Sequence, residues 1–155
     1  MLSETSGEFL TLHEIVKAAH RRLPATIWDY LVGGTETETT VRRNRLALDS
    51  IALRPRVLRD VSRIDGSGTL LGQRTRTPVA LAPIGGLESF EAGGGATVAK
   101  AAAEFGVFTI LSSVCQPGLE EVAAAATGPK IFQLYVRGDA AWVDDHVRRA
   151  IDAGY

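Results

Sequence analysis

Polar residues and glycines that could hold a polar ligand follow three short apolar runs. Gln133 and Tyr135 come at the end of one run and are two positions apart, so on a β-strand they share one face. Ser112 follows a second run, and Pro83 to Gly85 follow a third. A glutamine and a tyrosine facing a protein interior are costly without polar partners, so a bound polar ligand is one interpretation of this pair. The alternative is that both side chains bond only to neighbouring loops.

Tyrosine, histidine and cysteine side chains elsewhere have simpler interpretations. Tyr30 lies on an amphipathic segment, where a half-buried packing tyrosine is the common outcome. His13, His20 and His146 fall in predicted helices without spaced ligand partners, so we expect solvated histidines rather than metal ligands or bases. Cys115 has no basic neighbour in the sequence, and we do not expect it to be a nucleophile.

A run of three glycines, residues 93–95, comes directly before a predicted helix. Its backbone N–H groups could bind an anion at the helix start. The run matches neither the Walker pattern nor the dinucleotide-binding glycine pattern, so we interpret it as a flexible helix start.

From residue 69 onwards, short apolar runs alternate with amphipathic segments, which is typical of a parallel sheet covered by helices. A small hairpin is predicted to begin at residue 69. The three strand–helix units are predicted as strands 78–82, 107–111 and 130–136, with helices 95–105, 119–126 and 141–153. Two α/β architectures fit: an open doubly wound sheet or a closed (β/α)8 barrel. Because a barrel typically needs about 250 residues, counting units alone favours the open sheet.

The first part of the chain is predicted to be helical. Thr11 and Glu14 form a capping-box pattern for a first helix. Pro24 can begin a second helix, which the glycines 33–34 can end. Thr35 and Glu38 have the same spacing as the first pair and predict a third helix that runs to about residue 46. Residues 51–58 read as a short extended segment.

The composition excludes several classes of function. The chain has 155 residues, a net charge of −1, and a hydrophobic fraction of 45%, which fits one ordinary globular domain without a basic surface for nucleic acid. One cysteine excludes an internal disulfide and a metal site built from several cysteines. No signal peptide or membrane span is apparent in the sequence, so we expect a cytoplasmic protein.

The ordered set of these residues resembles the FMN-dependent 2-hydroxy acid oxidases and dehydrogenases, a family that includes glycolate oxidase, lactate oxidase, lactate monooxygenase and mandelate dehydrogenase. The resemblance spans nearly all of residues 10–155. Its main segments are Leu23-Pro24, Trp28-Asp29-Tyr30, Gly33-Gly34, Pro55-Arg56-Val57, Ala82-Pro83-Ile84-Gly85, Ser112-Ser113, Leu119-Glu120-Glu121-Val122 and Phe132-Gln133-Leu134-Tyr135. It implies the N-terminal half of a (β/α)8 TIM barrel, with a helical cap and extended segment in residues 1–68 and a hairpin and three β/α units in residues 69–155.

The resemblance also implies a role for each matching site residue. Backbone at Pro83, Ile84 and Gly85 lies against the FMN ring, while Ser112 and Gln133 hydrogen-bond its polar edge. Tyr30 binds the substrate carboxylate. Tyr135 binds substrate near the reacting oxygen and is the catalytic residue of this set. Val114 replaces a tryptophan of the glycolate oxidase-like members, which implies a roomier pocket.

The implied reaction is the oxidation of a small 2-hydroxy acid, such as lactate, glycolate or mandelate, to the 2-oxo acid. In this family the histidine base, an arginine, a lysine and the phosphate-binding loops come later in the chain. We therefore expect these 155 residues to supply part of the flavin and substrate site, and to form a homo-oligomer or associate with a second half-barrel. The rival hypothesis is a non-catalytic fragment that needs a second segment for any function.

Overall fold

The computed structural model describes residues 9–155. The chain divides into two compact units, Met1–Arg59 and Asp60–Tyr155. No helix within residues 9–155 combines the length and the apolar character needed to cross a membrane.

The first unit contains three helices, α1 (Leu12–Arg22), α2 (Ala25–Val32) and α3 (Thr39–Asp49). The Glu14 carboxylate accepts hydrogen bonds from the N–H groups of Leu10 (2.7 Å) and Thr11 (3.4 Å), so the predicted cap of α1 is confirmed. Pro24 precedes α2 and Gly33 follows it, at the predicted positions, although Gly33 has an extended backbone (φ −78°) and not the left-handed conformation that glycine favours at helix ends.

The third helix begins later than predicted. The carbonyl of Thr35 accepts a hydrogen bond from the Glu38 N–H (3.0 Å), which forms a turn before the helix instead of a helix cap. Glu38 itself adopts a left-handed conformation (φ 56°) and its carboxylate accepts a bond from the Gly34 N–H (3.0 Å). The helix can therefore start only at Thr39.

The second unit opens with the predicted hairpin. Strand β1 (Gly68–Leu70) pairs antiparallel with β2 (Gln73–Thr75). The connecting residues Leu71 and Gly72 both have positive φ values (47° and 76°), as the tightest hairpin turns require.

Three parallel strands form the sheet of the second unit, β3 (Ala80–Leu81), β4 (Phe108–Ser112) and β5 (Lys130–Gln133). They lie in sequence order β3-β4-β5. A short 3₁₀ turn (Leu87–Ser89) and helix α4 (Gly94–Phe105) follow β3, helix α5 (Leu119–Ala125) follows β4, and helix α6 (Ala140–Asp152) follows β5. The predicted α/β class with a parallel sheet is confirmed. The strands β3 and β5 are shorter than predicted.

The core lies between the sheet and the helices. Leu111 of β4 packs with Ala99, Cys115, Leu119 and Val122, all of them at most 5% exposed. Burial raises the pKa of the Cys115 thiol, which agrees with the prediction that this cysteine is not a nucleophile.

The three glycines at the start of α4 are closely packed, so the prediction of a flexible helix start is wrong. A Cβ on Gly95 would lie 2.8 Å from Cδ1 of Leu111, and a Cβ on Gly94 would lie 2.1 Å from the carbonyl oxygen of Gln116. Gly94 also has a positive φ of 49°. Only glycine lets the helix approach the strand and loop this closely.

Tyr155 closes the same core. Its hydroxyl donates a hydrogen bond to the Leu119 carbonyl (2.9 Å), and its ring meets Phe132 edge-on with centroids 5.7 Å apart. Burial, with smaller contributions from Glu120 and Cys115, raises the pKa of Tyr155 to about 12.

We expect the free energy of unfolding to fall as the pH rises from about 10 towards 12, because the unfolded phenol ionises near pH 10 and the folded one does not. The contribution of Tyr155 is fully present below pH 10. Urea unfolding at several pH values should show that Tyr155→Phe weakens this alkaline dependence. Identical alkaline curves for wild type and Tyr155→Phe would contradict the assignment.

Candidate functional site

Ser112 and Gln133 lie side by side at the carboxyl ends of neighbouring strands. Their Cα atoms are partners in the parallel register of β4 and β5. Leu111 and Phe132, the preceding pair, pack into the helix-covered core. Because side chains alternate along a strand, Ser112 and Gln133 belong to the opposite face of the sheet. Ser112 and Gln133 are therefore neighbours on one face of the sheet.

The side-chain oxygen Oε1 of Gln133 is buried and has no hydrogen-bond partner within residues 9–155. A buried polar atom left in this way costs about 1–3 kcal/mol, and native structures contain few of them. The neighbouring Ser112 is 2% exposed, and its hydroxyl oxygen accepts a bond from the Val114 N–H (3.3 Å). A hydroxyl that accepts a bond still has its proton to donate.

The loop after β3 is held against the loop after β4. The Gly86 N–H donates to the Val114 carbonyl (3.0 Å). A Cβ on Gly85 would lie 2.6 Å from Cγ2 of Val114, so a larger residue at position 85 would push the two loops apart. Pro83 is half-buried and Ile84 is 50% exposed. The predicted site residues 83–85 therefore lie at the same sheet end as Ser112.

Tyr135 does not lie on the strand, which corrects the expectation that it shares a strand face with Gln133. Strand β5 ends at Gln133 because the Tyr135 N–H donates to the hydroxyl oxygen of Ser113 (3.0 Å) and leaves the strand ladder. The Tyr135 side chain is 52% exposed. Sequence reasoning missed Ser113 as a structural partner, although its place in the Ser112-Ser113 pair is visible in the sequence.

The other candidates lie on helices. Tyr30 is on α2 in the first unit and is 75% exposed. His13 and His20 are on α1, and His146 is on α6. His146 is not a solvated histidine as expected: its side chain is 20% exposed, and its Nδ1 lies 2.9 Å from the Trp142 carbonyl oxygen.

The arrangement is suited to hydrogen bonding rather than to metal binding. Within residues 9–155, no cluster of three or more histidine, cysteine or acidic side chains could hold a metal ion. Backbone and apolar atoms of residues 83–85 border a sheet end where a serine hydroxyl and an unpartnered glutamine oxygen lie together. This set of groups can hydrogen-bond a ligand that carries polar atoms.

Comparison with known proteins identifies relatives of this chain. The chain is 40% identical over 149 residues to glycolate oxidase 1 of Oryza sativa subsp. indica, which covers 96% of this chain and 40% of the relative. It is 46% identical over 138 residues to L-lactate dehydrogenase of Caulobacter vibrioides, covering 89% of this chain and 36% of the relative. The chain thus spans about two fifths of the length of these relatives.

Solved structures show the same likeness in three dimensions. A crystal structure of mandelate oxidase with 3,3-difluoro-2-hydroxy-3-phenylpropionic acid superposes with a TM-score of 0.87 at 37% identity, covering 94% of this chain and 44% of that protein. The family model for FMN-dependent dehydrogenase matches residues 19–155. The chain therefore belongs to the FMN-dependent dehydrogenase family.

Proposed function

We propose that the protein containing this chain uses FMN to oxidise a small 2-hydroxy acid to the 2-oxo acid, and that this chain supplies part of the flavin and substrate site. Glycolate, lactate and mandelate, which appear in the names of the relatives, are all small 2-hydroxy acids. The observation that carries the proposal is the buried, unpartnered Oε1 of Gln133 beside Ser112. Because the chain belongs to an FMN-dependent family, FMN is the ligand that would supply the missing hydrogen bond to this oxygen.

The residues of the sheet end fit the proposed flavin. Ser112 and Gln133 would hydrogen-bond its polar edge, and the backbone of Pro83, Ile84 and Gly85 would lie against its ring. The close approach of Gly85 to Val114 fixes that backbone in position before any ligand binds. When bound, FMN supplies the acceptor for the hydride that the substrate carbon loses.

We assign the two tyrosines to the substrate. Tyr30 binds its carboxylate, and Tyr135 hydrogen-bonds the 2-oxygen at which charge develops during oxidation. Both phenols are accessible, with exposed fractions of 75% and 52%. A phenol O–H can donate a hydrogen bond to an anionic oxygen.

We infer that strands β3 to β5 are the first three strands of a (β/α)8 barrel. Their order follows the sequence without the reversal that marks the ligand crevice of a doubly wound sheet. Strand β5 pairs with β4 on one side, and its other edge suits a further parallel strand, from a second half-barrel segment or from another copy.

Replacing Gln133 by leucine tests the flavin assignment. In the flavin-free protein, Gln133→Leu should leave the free energy of unfolding unchanged or raise it, because it removes a buried polar atom without a partner. In flavin titrations followed by fluorescence, the same variant should raise the Kd for FMN by roughly two- to tenfold, the value of one lost hydrogen bond.

The matched control is Gln73→Leu, which makes the same replacement at an exposed position of β2. It should leave the affinity for FMN unchanged. A Gln133→Leu protein that unfolds more easily and still binds FMN with the wild-type Kd would show that Gln133 serves the fold and not the flavin.

A further inference from the structure

Ser113 bonds to the last residue of β5 through its main chain and to the segment after β5 through its side chain. Its N–H donates to the Gln133 carbonyl (2.9 Å), and its hydroxyl oxygen accepts from the Tyr135 N–H (3.0 Å). In a regular parallel ladder, the main-chain carbonyl of residue 113 would accept the second bond. Here the side chain takes the place of that carbonyl, a local competition that serine side chains commonly make.

The hydrogen bond from the Tyr135 N–H to the Ser113 hydroxyl determines where the main chain of Tyr135 lies. Residues 134–138 belong to no helix or strand, and the side chains of Tyr135 and Val136 are 52% and 69% exposed. Beyond Leu134, which is half-buried, little apolar burial therefore restrains this segment. The bond from the Tyr135 N–H to the Ser113 hydroxyl ties this segment to the sheet, directly after the bond from the Ser113 N–H to the Gln133 carbonyl at the end of β5.

We propose that Ser113 is a positioning residue for catalysis: its hydroxyl fixes the main chain of Tyr135 and thereby the phenol that bonds the substrate oxygen. This inference rests on the role of Tyr135 given under the proposed function. Ser112 and Ser113 then have separate tasks, since the first belongs to the flavin-facing sheet position and the second to the chain that carries the substrate-binding tyrosine. A phenol displaced by about 1 Å can lose a large part of its effect on the rate.

The test compares Ser113→Ala, Ser113→Thr, Tyr135→Phe and the double variant Ser113→Ala/Tyr135→Phe in the FMN-loaded protein. Ser113→Ala should lower kcat by about tenfold with little change in the Kd for FMN, and it should speed hydrogen exchange at the Tyr135 amide. Ser113→Thr keeps a hydroxyl at the same position and should restore both the rate and the slow exchange. In the Tyr135→Phe background, Ser113→Ala should lower kcat much less than in the wild type, because the two residues act through one group.

Two different failures can be told apart. A Tyr135→Phe protein with the wild-type kcat overturns the role of Tyr135, and this inference falls with it. A slow Tyr135→Phe protein together with a Ser113→Ala protein that matches the wild type in kcat and amide exchange overturns the positioning role of Ser113 alone. Independent, multiplying losses in the double variant would also overturn it, because they would show that Ser113 does not act through the phenol.

Discussion

A polypeptide made of residues 1–155 alone is expected to show no measurable turnover of glycolate or L-lactate. Oxidation of a 2-hydroxy acid needs a general base for the hydroxyl proton, and histidine is the residue most often used. The three histidines of the chain all lie on helices, and none lies directly after a strand of the parallel sheet. The same polypeptide is expected to bind FMN weakly, because hydrogen bonds to a charged phosphate, worth about 1.5–3 kcal/mol each, are not part of the site described here.

The open edge of β5 gives a second expectation for this polypeptide. Within residues 9–155, strand β5 has a neighbouring strand on one side only, and an unpaired strand edge favours association, so the isolated polypeptide should be oligomeric or prone to aggregate. Flavin absorbance measures the bound FMN, an activity assay measures turnover, and light scattering measures association. Rice glycolate oxidase 1 serves as the active control on glycolate. A stable monomer with stoichiometric FMN and measurable turnover would contradict the prediction and would mean that another residue serves as the base.

Tyr135→Phe in the FMN-loaded protein is expected to lower kcat by about 10²-fold, with a much smaller effect on KM. A phenol that bonds an oxygen as charge develops stabilises mainly the transition state, and loss of one such donor typically costs this much. The role of Tyr30 differs, because a carboxylate contact is similar in the ground and transition states. Tyr30→Phe should therefore mainly raise KM.

Steady-state kinetics with one substrate, such as L-lactate, separates the two tyrosines. Each variant removes one hydroxyl group and keeps the ring, so each serves as the control for the other. If Tyr135→Phe raised KM alone and Tyr30→Phe lowered kcat, the two roles would be exchanged. Unchanged kinetics in both variants would remove the tyrosines from the substrate site.

The elements that the sequence could predict are those fixed by local chemistry. The turn at Leu71 and Gly72 needs positive φ at both residues, and glycine provides one of them without strain. Pro24 directly precedes α2 and Gly33 directly follows it, and both residue types are visible in the sequence as helix boundaries. The alternation of apolar runs with amphipathic segments predicts a parallel sheet, which brings Ser112 and Gln133 together because strand ends of one kind share an edge.

The features that the sequence did not predict depend on contacts between residues that are far apart in the sequence. Strand β5 ends earlier than predicted because the Tyr135 N–H donates to the hydroxyl oxygen of Ser113, which lies 22 positions earlier in the sequence. The sequence predicts a flexible run at Gly94 and Gly95, but in the folded chain the loop of Gln116 and the side chain of Leu111 pack against them. The burial of Gln133 Oε1 likewise follows from packing, which no local pattern encodes.

The assignment of Gln133 to the flavin can be decided by following its side-chain amide by nuclear magnetic resonance during a titration with FMN. The signals are identified by their loss in Gln133→Leu, and the other glutamines of the chain, Gln73 and Gln116, serve as internal references. If Gln133 Oε1 gains the partner it lacks, its amide signals should shift as FMN saturates the protein, while those of Gln73 stay in place. Saturation with FMN that leaves the Gln133 signals unmoved would contradict the proposed flavin site.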